Sequence, residues 1–534
     1  MRKLLAYVSA AALLVAGCGE VGSSGGSAGS GGGGEAKADA AQVSPEALKA
    51  AVSDERVKRF YEGRDWAPVW NDKLSQDLTA AIGDAPSHAI NPESYLEKAK
   101  GGGSAAEREA GMTLAALDYA QALSTGMVDP KKIFEVYEVK APEADVVGGL
   151  GQAVQGGDVR GWLAGLAPQD PEYKALQQAY AGYAKAAAGE QRQPVAPGAS
   201  IKPGGRDPRV PGIVAALRAN GYLADDAESQ GGAEQASGNA SAPAKQAAAP
   251  ASDRYTPELA AAVKKVQDAY GIKPDGVIGN DTLEALNTGA KDRARILAVN
   301  MERRRWLERQ PAQTRIDVNT AAAQLEYLRD GQPVDRRRVV VGQPEWETPP
   351  LSSPIVRLVA NPPWNVPESI AEEEVRPKGA AYMAKENIVK KDGRLVQQPG
   401  PKSALGLVKF DMTNTHAIYL HDTPAKALFG TTDRHSSHGC VRVHDAIGFA
   451  RLLADNQGQL DAFNKALATG KETSVSLPNQ IPVRLLYHSA YVEGGKVIFR
   501  ADPYGWDDKL AQAMGLPGQI RPKVATRHRT DIGP

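Results

Sequence analysis

At Thr314 the hydrophobic period of the chain changes. Before it, Ala-rich amphipathic stretches recur at helical spacing, as in Ala106 to Leu123 and Tyr173 to Ala188, with Gly/Pro breaks between them. After it the period is two. Arg315-Ile316-Asp317-Val318-Asn319, Leu325-Glu326-Tyr327-Leu328, Arg337-Arg338-Val339-Val340-Val341 and Ile355-Val356-Arg357-Leu358-Val359 read as strands, and Gly331 and Gly342 end or turn them. Later strands are expected at Ala417 to His421, Val483 to Tyr487 and Lys496 to Phe499. Two periods require a helical part and a β-rich part. The 534 residues also exceed what one core can organise. The expectation is a multidomain α+β protein of two to four domains.

The N-terminus reads as an export signal. Arg2 and Lys3 supply positive charge, and Leu4 to Val15 is an apolar run short of a comfortable bilayer span. It ends in Val15-Ala16-Gly17-Cys18. Small residues directly before a Cys resemble a bacterial lipobox, which implies cleavage after residue 17 and acylation of Cys18. An ordinary signal peptide with an incidental Cys is the alternative. Residues 18–43, rich in Gly and Ser, suit a flexible tether. Gly19, where inner-membrane retention would favour Asp, leans by resemblance to enterobacterial sorting towards the outer membrane. The expected location is the periplasmic side of the cell envelope, attached to a membrane through Cys18. Lys plus Arg is 63 and Asp plus Glu is 63, so no basic excess points to a nucleic-acid partner.

Residues 44–195 form the helical part, in which the aromatics from Phe60 to Trp70 are expected as core anchors and no chemistry is assigned. A Pro/Gly linker follows, from Gln191 to Arg206. Residues 205–290 hold helices at Val210 to Leu223, at Pro257 to Tyr270 and from Asn280, with a turn at Pro274-Asp275-Gly276. The low-complexity stretch 224–253 interrupts them and is expected to be disordered. The order helix, Gly271, Asp275-Gly276 turn and Gly279 resembles the three-helix peptidoglycan-binding module; a generic helical hairpin is the alternative. The strand-rich domain is placed at 293–505. Residues 366–402 interrupt it with charged, helical sequence (Ile370 to Lys378, Ala380 to Ile388), a length that suits a mobile cap. Residues 506–534 are taken as a tail.

Five of the eight histidines, His416, His421, His435, His438 and His444, surround Cys440. With Cys18 acylated, Cys440 is the one thiol left of two. Zinc is one account, but no second Cys and no helical His-x-x-x-His completes a ligand set. A buried inert thiol is another, but Ser436, Ser437, His438 and Gly439 precede it in place of an apolar run. The third account is a nucleophile activated by an imidazole base. His421 ends a strand and stands 19 residues before Cys440 on a separate element, as such a base requires. Gly439 allows close backbone approach, the amides around it and Cys440 suit an oxyanion, and Arg442 offers a positive fork for a carboxylate. Asp445 reads as the N-cap of a helix over Ala446 to Asp455.

At these residues the chain resembles the L,D-transpeptidases of the YkuD type, whose pattern is a strand-end His followed by Ser-His-Gly-Cys and an Arg or Asn two residues on. Here that stands as His421 and Ser437-His438-Gly439-Cys440-Val441-Arg442. Asn300 to Leu307, Asn361 to Pro367, Gln398 to Gly406 and Tyr419 to Pro424 further resemble blocks of the large YcbB-type subgroup. So does the layout of helical scaffold, peptidoglycan-binding module and mostly-β catalytic domain with an inserted cap. The resemblance implies that Cys440 attacks the diaminopimelate carbonyl of a tetrapeptide donor stem and expels D-Ala. An amine of an acceptor stem then resolves the thioester. It implies His421 as the proton carrier, oriented by Asp422 or a nearby carbonyl, with Gly439 serving the oxyanion and His438 in support. Ser437, Tyr419, Trp364 and Arg442 would line the substrate side. His435 and His444 are read as surface groups and His416 as a strand-end residue. No cofactor and no metal are implied. Attachment or release of a wall-bound lipoprotein by the same chemistry, and a non-catalytic wall-anchoring lipoprotein, stay open as alternatives.

Overall fold

Acidic and hydroxyl residues just ahead of the Ala-rich stretches start the scaffold helices in the computed structural model, which describes residues 43–190, 193–224, 252–270, 272–516 and 518. The export signal, Cys18, the Gly/Ser tether and nearly all of 224–253 lie outside the described residues. Ser104 and Glu107 form a capping box that opens helix Ala105–Thr125. Asp145, Asp158 and Asp170 cap helices Val146–Gly156, Val159–Leu166 and Pro171–Ala188 through side-chain acceptors. Phe60 and Tyr61 are buried as expected, whereas Trp66 and Trp70 are half-buried.

The peptidoglycan-module segment folds as helices Val210–Ala219, Pro257–Ala269 and Asn280–Asn287 around Ile213, Leu217, Val263, Val266 and Leu286. Gln267, 1% exposed, organises its turn. Its carbonyl oxygen accepts from Gly276 N–H at 2.8 Å, and its amide donates to the Val277 carbonyl at 2.9 Å. The turn needs Gly276, whose φ is +78°.

The strand-rich region contains strands β1 (Arg315–Asn319), β2 (Gln324–Arg329), β3 (Gln332–Gly342), β4 (Leu351–Ser352), β5 (Ile355–Ala360) and β6 (Trp364–Asn365). Then come β7 (Ile388–Lys391), β8 (Arg394–Gln397), β9 (Val408–Met412), β10 (Leu420–His421), β11 (His435–Ser437) and β12 (Val441–Val443). The last are β13 (Thr473–Ile481), β14 (Val483–Leu486), β15 (Ala490–Glu493) and β16 (Lys496–Phe499). Among the described residues, eleven strands join in the order β13-β5-β9-β10-β12-β3-β2-β1-β14-β4, with β11 also on β3. β1 alternates buried Ile316 and Val318 with half-buried neighbours, as its period of two demands. The inner positions pack with Phe449, Ala450 and Leu453 of helix Ala446–Asp455 and with Phe463 of helix Leu460–Ala468. The whole is α+β: a helical N-terminal region, a three-helix module and a mostly-β domain.

Three expectations change. The strand over Ala417 to His421 shrinks to Leu420–His421, because Ala417 takes φ +55° in a left-handed turn. The cap is helical only from Glu368 to Lys385. Ile388–Lys391 and Arg394–Gln397 form a hairpin that pairs with Trp364–Asn365 in a three-stranded sheet. Its period-two signal is only four residues per strand, too short to separate from a helical run. The segment taken as the start of a tail is a helix, Trp506–Ala513. Trp506, Leu510 and Ala511 join Ile296, Leu297 and Met301 of helix Ala290–Arg305 in the same apolar cluster as scaffold residues Leu117, Leu163 and Leu176.

Candidate active site

β10 lies between β9, antiparallel to it, and β12, parallel to it. The parallel register sets Leu420 opposite Val441 and His421 opposite Arg442, and Val441 N–H donates to the Tyr419 carbonyl at 3.1 Å. This pairing brings the strand-end histidine and the cysteine loop together. The 18 residues between His421 and Cys440 can close a loop because both flanking strands are held in one sheet.

His421 is fully buried. Its Nδ1 meets the Asp422 backbone carbonyl at 2.5 Å, so that ring nitrogen carries the proton and Nε2 is the basic one. The Asp422 carboxylate turns away. It accepts from Leu407 N–H at 3.0 Å and pairs with Lys426. Of the two orienting groups considered, the carbonyl is therefore the one in contact. Tyr419 sets its ring edge-on to His421, with centroids 5.7 Å apart.

Cys440 is 4% exposed, and its Sγ donates to the Ala417 carbonyl at 3.6 Å. Burial pushes the thiol up to about 11. The Tyr419 N–H and hydroxyl, with the charges of Lys409 and Arg442, pull the other way without overcoming it. The resting group is a protonated thiol that several donors stand ready to stabilise as a thiolate. Tyr419 is itself raised well above the usual phenol range, first by burial and then by Cys440, with the nearby Trp364 side chain pulling the other way.

Ser437 is buried and staples the loop. Its hydroxyl donates to the Cys440 carbonyl at 2.6 Å and accepts from Gly439 N–H at 3.2 Å. The Gly439 N–H is thus already engaged, which corrects the expectation that it faces an oxyanion; the Cys440 N–H is the neighbouring amide. Gly439 itself is required by φ +106°. Its carbonyl accepts from Thr348 Oγ1 at 2.8 Å, and that oxygen accepts from Gly342 N–H at 2.8 Å. Arg442 and Trp364, both expected on the substrate side, are each 1% exposed. Arg442 sits on an inner strand between β10 and β3, and Trp364 belongs to the apolar core of the cap.

The other histidines disperse. His438 Nε2 meets Glu374 of the cap at 2.6 Å, and its ring stands edge-on to Trp346 at 5.2 Å. His435, expected at the surface, is held inside by Asp433 at 3.0 Å and the Thr320 carbonyl at 2.9 Å. His416, expected at a strand end, lies in a turn and meets scaffold Glu138 at 2.9 Å. His444 is exposed. Among the described residues no three His, Cys, Asp or Glu side chains are placed to hold a metal. Sequence reasoning missed Glu374 and Glu138. The run Glu372-Glu373-Glu374 opposite a histidine-rich loop was a signal for the first; nothing local signalled the second.

Residues 313–469 match the family model described as "L,D-transpeptidase catalytic domain" (YkuD). Residues 55–179 match "Scaffold domain", and 206–286 match "Putative peptidoglycan binding domain". The chain carries an L,D-transpeptidase catalytic domain of the YkuD type together with a peptidoglycan-binding domain. A Haemophilus influenzae protein named "Putative L,D-transpeptidase" is 35% identical over 219 residues, covering 36% of this chain and 45% of that protein. The chain thus spans less than half the length of that relative. Among solved structures, "Structure of the Ldtfm-avibactam carbamoyl enzyme" aligns at 13% identity and TM-score 0.19, over 33% of this chain and 49% of that one. "L,D-transpeptidase from Mycobacterium smegmatis" aligns at 14% identity and TM-score 0.20, over 33% and 60%.

Proposed function

We propose that this protein is a peptidoglycan L,D-transpeptidase that joins diaminopimelate residues of neighbouring stems through a thioester on Cys440. The observation that carries the reading is the Cys440 thiol held against Tyr419, beside a His421 whose ring is fixed by a backbone carbonyl. In the first half-reaction the thiol proton passes to His421 Nε2 as sulfur attacks the donor carbonyl. The Tyr419 N–H and hydroxyl stabilise the developing thiolate charge, and the Cys440 N–H serves the oxyanion. His421 returns the proton to the departing D-Ala amine, leaving the thioester. In the second, an acceptor amine attacks the thioester, gives a proton to His421, and forms the new amide as the Cys440 thiol is restored. Ser437 and Gly439 shape the loop, and His438 ties it to the cap. A neutral resting thiol suits an exported enzyme, since it resists oxidation until substrate arrives.

Acylation of Cys18 would fix the enzyme to a membrane facing the wall, the outer membrane being favoured. Cys18→Ser would then move the protein into the soluble periplasmic fraction, and unchanged membrane fractionation would remove that part of the reading. The central test is incubation with a carbapenem followed by intact-protein mass spectrometry. One adduct on Cys440 is expected for wild type and none for Cys440→Ala. Muropeptide analysis should show cross-links between diaminopimelate residues rising only with wild type. A missing adduct on wild type ends the proposal.

A further inference from the structure

Arg442, the cation expected to meet a substrate carboxylate, is 1% exposed on an inner strand. A second cation stands beside the catalytic pair. Lys409 of β9 is the register partner of His421 across the antiparallel β9–β10 pair. Directly opposite residues carry their side chains on one face of a sheet. Tyr419, whose ring is edge-on to His421 at 5.7 Å, lies on that face too. The Lys409 ammonium sits over the Tyr419 ring, 4.4 Å from its centroid, and the lysine side chain is 25% exposed. The Tyr419 hydroxyl is bonded to the Cys440 side chain. One phenol ring therefore separates the ammonium from the reacting sulfur.

The charges around Lys409 leave it in surplus. Asp411, two residues further along β9, meets the ammonium at 2.8 Å, but it also meets Arg357 of β5 at 2.5 Å. Two cations share one carboxylate, so the trio carries one positive charge. That charge reaches the sulfur, since Lys409 and Arg442 both pull the Cys440 thiol down against its burial. The other charged groups of the site have partners of their own. Asp422 pairs with Lys426, and His438 meets Glu374 at 2.6 Å. A part-exposed ammonium with charge to spare, one ring from the nucleophile, is complementary to an anion held close to the attacked carbonyl. In a donor stem the terminal carboxylate lies one residue beyond that carbonyl, a reach of about 3.8 Å. Lysine meets a lone carboxylate as a point charge on a flexible stem.

We propose that Lys409 is a specificity-determining residue that takes the C-terminal carboxylate of the donor stem and so sets the leaving D-Ala against Cys440 and His421. The assignment rests on the transpeptidase reading above. The contact is ionic. No bond forms or breaks at Lys409, and the thiol proton still passes to His421. The test gives the full chain two soluble donors, a disaccharide–tetrapeptide ending in D-Ala and the same molecule ending in D-alaninamide. Release of the leaving group is followed by mass spectrometry with enzyme in excess. A weakened thiol slows both donors alike, whereas a lost carboxylate contact slows only the acid. The acid-to-amide ratio of rates should fall roughly ten-fold or more in Lys409→Met and stay within about three-fold of wild type in Lys409→Arg. Asp411 keeps Arg357 in Lys409→Met, so no buried acid is stranded. Where Lys409→Met does not fold, Arg357→Met decides, at a side chain 50% exposed. Asp411 then neutralises Lys409 alone, and the ratio should fall about three-fold or more. An unchanged ratio in the deciding variant, with D-Ala released by wild type, overturns the role of Lys409 and leaves the transpeptidase reading standing. A ratio lost equally in Lys409→Arg also overturns it, because charge would not be what is recognised. A wild type that releases neither leaving group overturns both readings.

Discussion

The Cys440 loop and the junction between scaffold and catalytic sheet both take polar side chains out of water, and they pair them differently. Around Cys440 and His421 the partners of the buried side chains are neutral carbonyls. Ser437 bonds the Cys440 carbonyl, Cys440 the Ala417 carbonyl, and His421 the Asp422 carbonyl. At the junction the partners are full charges, several of them distant in sequence. Arg303 meets Asp507 at 2.5 Å with both side chains nearly inaccessible, and Arg305 meets Glu302 at 2.6 Å with both at 0%. Arg305 also donates to the His88 carbonyl at 3.0 Å and to the Tyr173 hydroxyl at 2.9 Å. A carbonyl orients a side chain without forcing its protonation state, so the loop can move a proton. A buried ion pair locks two elements, and losing one partner strands the other charge. The loop thus leaves protonation states free, and the junction holds fixed charges in place. Changes at one should move thiol reactivity, and changes at the other stability.

The largest stability effect belongs to the junction. Arg305→Ala leaves Glu302 buried with its Val128 N–H contact but without its cation. A loss of about 3–5 kcal/mol is expected in denaturant unfolding. Cys440 alkylation by iodoacetamide, measured while the variant is folded, should keep its wild-type rate. A loss under about 1 kcal/mol would mean that the junction is no more rigid than an exposed ion pair.

Acid should act on the same region. His88 is held down to about 4, chiefly by burial and then by Arg305. Its folded value lies below its unfolded one, so the unfolded chain binds the proton first. This contribution is complete above pH 6.5 and is lost as pH falls through 4, an amount of roughly 2–3 kcal/mol for a largely buried group. His488 adds in the same direction. His88→Gln should flatten that slope in unfolding measured from pH 7 to pH 4. An unchanged slope would place the acid sensitivity elsewhere.

The loop was more legible in the sequence than the junction, for a physical reason. Strand period, the strand-end His421 and the Asp445 cap are local signals, and Asp445 does accept from Gly448 N–H to open Ala446–Asp455. The parallel pairing that joins His421 to the cysteine loop follows from two such local elements meeting in one sheet. The burial of Ser437, Arg442 and Trp364 was not legible, because motif position says nothing about which way a side chain faces. The junction is built from pairs such as Arg303 with Asp507, 204 residues apart. No window of sequence contains both partners. Trp506 to Ala513 read as a tail because its apolar face has meaning only against helix Ala290–Arg305.

A change inside the loop should do the reverse of Arg305→Ala. Tyr419→Phe removes one hydroxyl that faces the Cys440 sulfur while keeping the ring. The thiol, already raised to about 11, should rise further. The pH profile of alkylation should move upward, and the rate near pH 10 should fall roughly ten-fold if the profile moves by one pH unit. Unfolding free energy should change by less than about 1 kcal/mol. A profile displaced to lower pH would show that the hydroxyl does not donate to the thiolate.

The smallest effect should come from a side-chain pair that joins the scaffold to the segment before the loop. Glu138 pairs its backbone with Pro350 and Ser352 and its carboxylate with His416, one residue before the Ala417 carbonyl that holds the Cys440 thiol. The pair is half exposed, so Glu138→Gln should cost no more than about 1 kcal/mol of stability. If the scaffold steadies the loop through this contact, Cys440 acylation by a carbapenem should slow by roughly two- to five-fold, about 0.4–1 kcal/mol, with an unchanged unfolding midpoint. His416→Gln in the same background should add nothing further, because the pair is already broken. Additive losses would mean that each residue acts alone and that the two regions are joined only through the sheet.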